Sequence, residues 1–181
     1  MSRRTLTLYE LDRPALKTLT AELEEALGAN DRDGLAELLE LGDAVRTSLD
    51  GRERLVDFFL LPETHETATP LFASLRRISK KRALTPVMTS SDLALEGRLR
   101  GFEVLRERSG LAKLVDKLLS SKRLPWYLRR PGTSGGWLNP DQRAMLASGM
   151  GELAPALTPE LRELQEGLEE AHGDVVLHDG L

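Results

Sequence analysis

The chain contains no cysteine among its 181 residues. Disulfides, iron–sulfur clusters, thiolate zinc sites and a cysteine nucleophile are therefore all excluded. Aromatic residues make up only 4%, so Trp126 and Trp137 are read first as anchors that pin loops onto a core. No long hydrophobic run occurs. The densest apolar stretch, residues 55 to 61, is broken by Asp57 and falls far short of the roughly twenty residues that span a bilayer. Glu10, Asp12 and Pro14 interrupt the N-terminal region before an export signal can form, and a cytoplasmic location is expected.

The three histidines, His65, His172 and His178, also fall outside any standard metal motif. His65-Glu66 begins like a zinc-protease helix, but Thr69 stands where the second histidine is needed. His172, Asp174, His178 and Asp179 gather near the C-terminus at a spacing that matches no metal site. Ala29 to Gly34, with Glu37 and Glu40, resembles a calcium loop at several positions, yet Ala29 replaces the first oxygen ligand. A turn between helices, with its aspartates capping the second, accounts for it better. Thr133 to Gly136 lacks the lysine of a phosphate loop, and neither a nucleophile elbow nor a dinucleotide fingerprint occurs. No catalytic residue, cofactor or metal ligand is nominated, and the expectation leans away from an enzyme.

What the chain does have is a globular balance, 40% hydrophobic and 30% charged, at a length suited to one core. A single domain over residues 1–181 is the default. Its fold class is expected to be mainly α, with about six to eight helices. Leu16, Leu19, Leu23 and Leu27 recur at helical spacing and end at Gly28. Leu35, Leu38, Leu39, Val45 and Leu49 continue the period through a second helix, with Gly42 as its weak point. Leu55 to Phe59 reads as a short buried helix stopped by Pro62, and Glu63 to Thr69 as a polar loop. Thr69-Pro70 would cap the next helix, which buries Leu71, Phe72, Leu75 and Ile78.

A long helical stretch follows from Ser90, Ser91 or Asp92, with Leu95, Leu99, Phe102 and Leu105 inward, divided at Ser109-Gly110 from Leu111, Leu114, Val115 and Leu118. Residues 124 to 136 form a loop rich in proline and glycine. Asn139-Pro140-Asp141-Gln142 is a capping box that opens a helix through about Leu153, and Thr158-Pro159 opens the last one. Only the ends look extended. Leu6 and Leu8 alternate with polar residues, and Val175 to Leu177 form a β-prone run, so a short two-stranded pairing would close the domain.

Charge is distributed unevenly. Residues 71–130 carry fifteen Lys/Arg against five Asp/Glu, whereas the segments before and after are each at −7 within a total of −4. Two arrangements satisfy this map. Acidic helices can lie against basic ones and neutralise them, at about 0 to 1 kcal/mol per surface pair. Alternatively, Arg76, Arg77, Lys80, Lys81, Arg82, Lys122, Arg123, Arg129 and Arg130 form an open basic surface, with Trp126 and Tyr127 as aromatic contacts between the last two basic pairs. The second arrangement implies a non-enzymatic interaction module, an adaptor or an immunity-like inhibitor, that binds an acidic protein partner. Nucleic acid or another phosphorylated ligand is the alternative. A pI near 5.5 weighs against a dedicated nucleic-acid binder.

Overall fold

A computed structural model describes residues 6–50, 53–60, 65–90, 101–120, 124–128 and 135–179. They are mostly helical, with nine α-helices and one four-stranded antiparallel sheet among the described residues. The chain groups into two compact units: Arg13–Ala83 forms one, and the residues up to Asp12 together with those from Leu84 onward form the other.

The first unit is helical throughout. It comprises α1 (Arg13–Gly28), α2 (Arg32–Leu38), α3 (Asp43–Asp50), α4 (Asp57–Leu60) and α5 (His65–Ala83). The leucine stripe of α1 is buried as expected at Leu16, Leu19 and Leu23, joined by Ala26. The single helix expected over residues 35–49 is two helices, because the chain turns between Leu39 and Gly42. The turn is a Schellman motif: the amide of Leu41 bonds the carbonyl of Ala36 at 2.9 Å and that of Glu40 bonds Glu37 at 3.1 Å. Glu40 takes the left-handed position, at φ 49°, where glycine is the usual residue.

The end of α1 is built in the same way around Asn30, at φ 54°, with Asp31 bonding Ala26 at 2.9 Å. Asp31 then caps α2 by accepting from the amide of Gly34 at 2.9 Å, so the calcium-like stretch is a helix-to-helix turn. Asn30 also clamps the chain after α3: its side chain donates to the carbonyl of Glu53 at 3.0 Å and accepts from the amide of Leu55 at 2.9 Å.

Helix α5 begins at His65 rather than at Pro70, which lies inside it. The polar composition of residues 63–69 concealed this extension, and a proline inside a helix is normally read as its first turn. Leu71, Leu75 and Ile78 are buried along α5, and Phe72 meets Phe59 of α4 edge to face, with ring centroids 5.3 Å apart.

The second unit is a sheet with helices. Its strands are β1 (Leu6–Leu11), β2 (Leu84–Ser90), β3 (Gly135–Leu138) and β4 (Asp174–Asp179), in the order β2-β1-β4-β3. The expected pairing of the two ends is present as β1 against β4, with Leu8 opposite Leu177. Two further strands flank that pair. One edge, β2, carries Pro86 and an irregularity in its register beside Leu8 and Tyr9 of β1, as suits a strand that needs no outer partner. The other, β3, begins with two glycines. A Cβ at Gly136 would lie 2.0 Å from the carbonyl oxygen of Lys117, so β3 passes against the end of a helix at a distance only glycine permits.

That helix is α7 (Ser109–Leu119), separated from α6 (Gly101–Arg106) near Ser109-Gly110 as expected. The capping box of Asn139 and Gln142 opens α8 (Pro140–Glu152), and Thr158 caps α9 (Pro159–Glu170). Leu6, Leu8, Leu138, Val175 and Leu177 from the sheet share a core with Leu118, Leu146, Met150, Leu161 and Leu164 from the helices. Arg143 of α8 donates to the carbonyl of Leu168, one of the four carbonyls that the end of α9 leaves without a helical partner. Of the residues expected to open and line the helix before residue 101, Ser90 is instead the buried last residue of β2, held by its pairing with Leu6 of β1, and Ser91, Asp92, Leu95 and Leu99 lie outside the described residues. No described helix is long and apolar enough to cross a membrane.

Candidate functional site

The amphipathic spacing of α5 determines where its cations stand. Burying Leu71, Leu75 and Ile78 turns Arg77, Lys81 and Arg82 outward, while Arg76 and Lys80 are half-buried. Lys80, Lys81 and Arg82 occupy the last turn, where the negative end of the helix dipole favours positive charge.

Three of these cations meet acidic residues from earlier in the same unit, one on α1 and one in the turn after α2. Arg82 grips both carboxylate oxygens of Glu22 on α1, with Nη2 at 3.2 Å from Oε1. Lys81 lies 2.5 Å from Oε1 of Glu40, and Arg77 places Nη1 at 3.4 Å from Oε2 of the same side chain. The Nη2 group of Arg77 also donates to the carbonyls of Leu39 and Glu40, each at 3.0 Å. It therefore serves as a cap for the end of α2 as well as an ion-pair partner.

The resulting cluster is lopsided. Arg77 and Lys81 share one carboxylate, and their side chains are 55% and 64% exposed. The hydrogen bond from Lys81 holds the Glu40 carboxyl below the usual glutamate range, helped by the charges of Lys81 and Arg77. Glu22 is lowered in the same way by Arg82. Burial, and then the neighbouring Arg76, push the Lys80 ammonium below the ordinary lysine value. Arg77 and Lys81 thus stand against a single shared carboxylate.

The aromatic loop belongs to the other unit. Leu124, Tyr127 and Leu128 are buried, Tyr127 to 1% exposure, so the Tyr127 ring is packed inside rather than offered to a partner. The backbone of Trp126 opens a short 3-10 helix, Trp126–Leu128. Nε2 of the buried His178 lies 3.0 Å from the carbonyl of Leu128, which makes the ring nitrogen the donor and ties this turn to β4. Lys122, Arg123, Arg129, Arg130 and the Trp126 side chain lie outside the described residues.

Of the C-terminal polar group, the Asp179 side chain lies outside what is described. His172 is exposed and His178 buried, and no three described histidine, aspartate or glutamate side chains are placed to hold a metal ion. A shallow cleft of about 210 Å³ lies between α2 and α3, lined by Arg32, Asp33, Asp43, Arg46 and Asp50 among others. Its walls carry both signs of charge and show no arrangement of nucleophile and base.

Sequence reading found the cations of α5 but missed Glu22 and Glu40. Glu22 was counted only as a member of the acidic flank, and Glu40 only there and in the calcium-like stretch. The short helix end at Leu39-Glu40-Leu41 was the one available signal, and no glycine stands at the turn to announce it. No protein-family model matches the chain, and neither does any curated protein or solved structure.

Proposed function

We propose that this protein is a non-enzymatic interaction module, an adaptor or an inhibitor of the immunity type, whose basic surface on α5 binds acidic side chains of a protein partner. The observation that carries this reading is the sharing of one carboxylate by the exposed Arg77 and Lys81. One negative charge between two cations leaves a field that attracts a second carboxylate. Arg76 and Lys80 add to the field from the same helix. Lys122, Arg123, Trp126, Arg129 and Arg130 are assigned to partner binding by their composition, with Trp126 as the aromatic anchor. The proposal places the protein in the cytoplasm, acting as one domain over residues 1–181.

Acidic protein is preferred to nucleic acid because a single-stranded ligand stacks its successive bases on several exposed rings, and of the adjacent pair Tyr127 is buried. Titrating the full chain with labelled poly-L-glutamate, and separately with an oligonucleotide of matched charge, distinguishes the two. Polyglutamate should bind, weaken as salt rises, and bind less well to Arg77→Glu/Lys81→Glu and to Arg129→Glu/Arg130→Glu. Tighter, steeply salt-dependent binding of the oligonucleotide would select the phosphate-binding alternative. Unchanged polyglutamate affinity in both reversal variants would remove this surface from the account.

A further inference from the structure

Glu40 differs from the other acidic partners in its backbone. It occupies the left-handed position of a helix-ending turn, at φ 49°, which a side chain adopts only with strain. From that position its carboxylate reaches two cations spaced four residues apart on α5, Lys81 at 2.5 Å and Arg77 at 3.4 Å. Arg77 does not depend on that carboxylate for its placement. Its Nη2 is held by the backbone carbonyls of Leu39 and Glu40, at 3.0 Å each. If the Glu40 side chain swings away, the guanidinium stays and a preformed socket for a carboxylate remains. All three side chains are well exposed, Glu40 to 44%, so an incoming acid can reach the socket from solvent.

We infer that the Glu40 carboxylate is an internal occupant of the acid-binding socket formed by Arg77 and Lys81, and that an acidic residue of the partner displaces it on binding. This rests on the basic surface being the partner-binding one. The contact is autoinhibitory in a mild sense: the partner binds the fraction of molecules in which Glu40 is out, and its apparent affinity is reduced by that fraction. Exposed ion pairs favour the closed form by about one- to five-fold. Removing the charge of Glu40 should therefore tighten binding by about two- to six-fold.

The test uses the full chain and labelled poly-L-glutamate at constant salt. Glu40→Gln removes the occupant's charge, and Glu40→Gly does so with a residue suited to the left-handed backbone. Glu37→Gln is the control: it makes the same charge change nearby, at an exposed side chain with no ion pair among the described residues. Circular dichroism confirms that each variant is folded.

Binding by both Glu40 variants that is about two- to six-fold tighter than wild type, with Glu37→Gln clearly weaker than either, is the expected result. Equal tightening in Glu40→Gln and Glu37→Gln would overturn the displacement and leave the basic surface standing, since overall charge alone would then account for it. Weaker binding by Glu40→Gln would also overturn it, by making Glu40 a support for the cations. If Arg77→Gln/Lys81→Gln leaves wild-type affinity intact, or wild type and Glu40→Gln both fail to bind, the surface itself is wrong and the displacement falls with it.

Discussion

The two units are held together by different means. In the helical unit, Arg13–Ala83, polar side chains tie helix ends to one another: Asn30 clamps the chain at Glu53 and Leu55, and Arg77 gathers the carbonyls that close α2. In the sheet unit, the central strands β1 and β4 are buried on both faces, by Leu8 and Tyr9 in one and by Val176 and Leu177 in the other. Side-chain ties such as His178 to Leu128 and Arg143 to Leu168 occur there as well, but the strands themselves are joined by their backbone ladder and by close packing. The cations of α5 stand near water, whereas the side chains at the centre of the sheet are mostly apolar and buried.

Three measurements would break or sharpen that contrast. The largest effects come from the cores. Leu8→Ala in β1 and Leu75→Ala in α5 each empty a fully buried site and should cost about 2 to 5 kcal/mol. If the units act as one domain, both variants displace the same urea transition. Two separate transitions, each moved by one variant, would divide the chain at Ala83.

A smaller effect belongs to backbone packing in the sheet unit. Gly136→Ala forces a Cβ onto the carbonyl of Lys117 and should destabilise by about 3 kcal/mol. Gly110→Ala meets nothing within 4 Å and should stabilise α7 by about 0.5 to 1 kcal/mol. Opposite shifts in the thermal midpoint are the check, and a neutral Gly136→Ala would deny the close approach of β3.

The smallest effect is electrostatic and confined to the helical unit. Glu22 and Glu40 both titrate below the ordinary glutamate value of 4.5 in the folded chain. Their pairs contribute stability at pH above that value, and the contribution disappears as pH falls through the lowered folded values. Arg82→Gln should therefore flatten the acid side of the stability profile slightly and leave neutral behaviour almost unchanged. An identical acid limb in wild type and Arg82→Gln would show that this pair contributes nothing measurable.

Much of the fold was legible where local chemistry carries the signal. Asn139 with Gln142 and Thr158 with Pro159 announced their helices, and the β-prone runs at Leu6 and Val175 announced their pairing. The edge strands were hidden because Pro86 and Gly135-Gly136 read as punctuation. In the folded chain Pro86 sits on an edge that requires no outer bond, and Gly136 is the close approach that lets β3 reach its neighbours. The turn at Glu40 was hidden for the opposite reason, since a residue that normally avoids left-handed backbone occupies it. The cations of α5 were legible as composition. Their carboxylates were not, because Glu22 lies 60 residues from Arg82 and Glu40 lies 41 from Lys81, and spacing rules reach only a turn or two.

The register of β1 has a consequence for how the chain is made. Leu11 pairs with Leu84 on one side and with Asp174 on the other. During synthesis the central strand therefore emerges long before either neighbour. The helices from Arg13 to Ala83 can form from local contacts while Leu6 and Leu8 wait without partners. Closure of the sheet requires joining residues separated by nearly the whole length of the chain, the slowest kind of contact to make. β2 can cover one edge of β1 once Ser90 has emerged, but the other edge stays open until β4 has been synthesised, and this is the interval in which the protein is most exposed to aggregation and most dependent on chaperones.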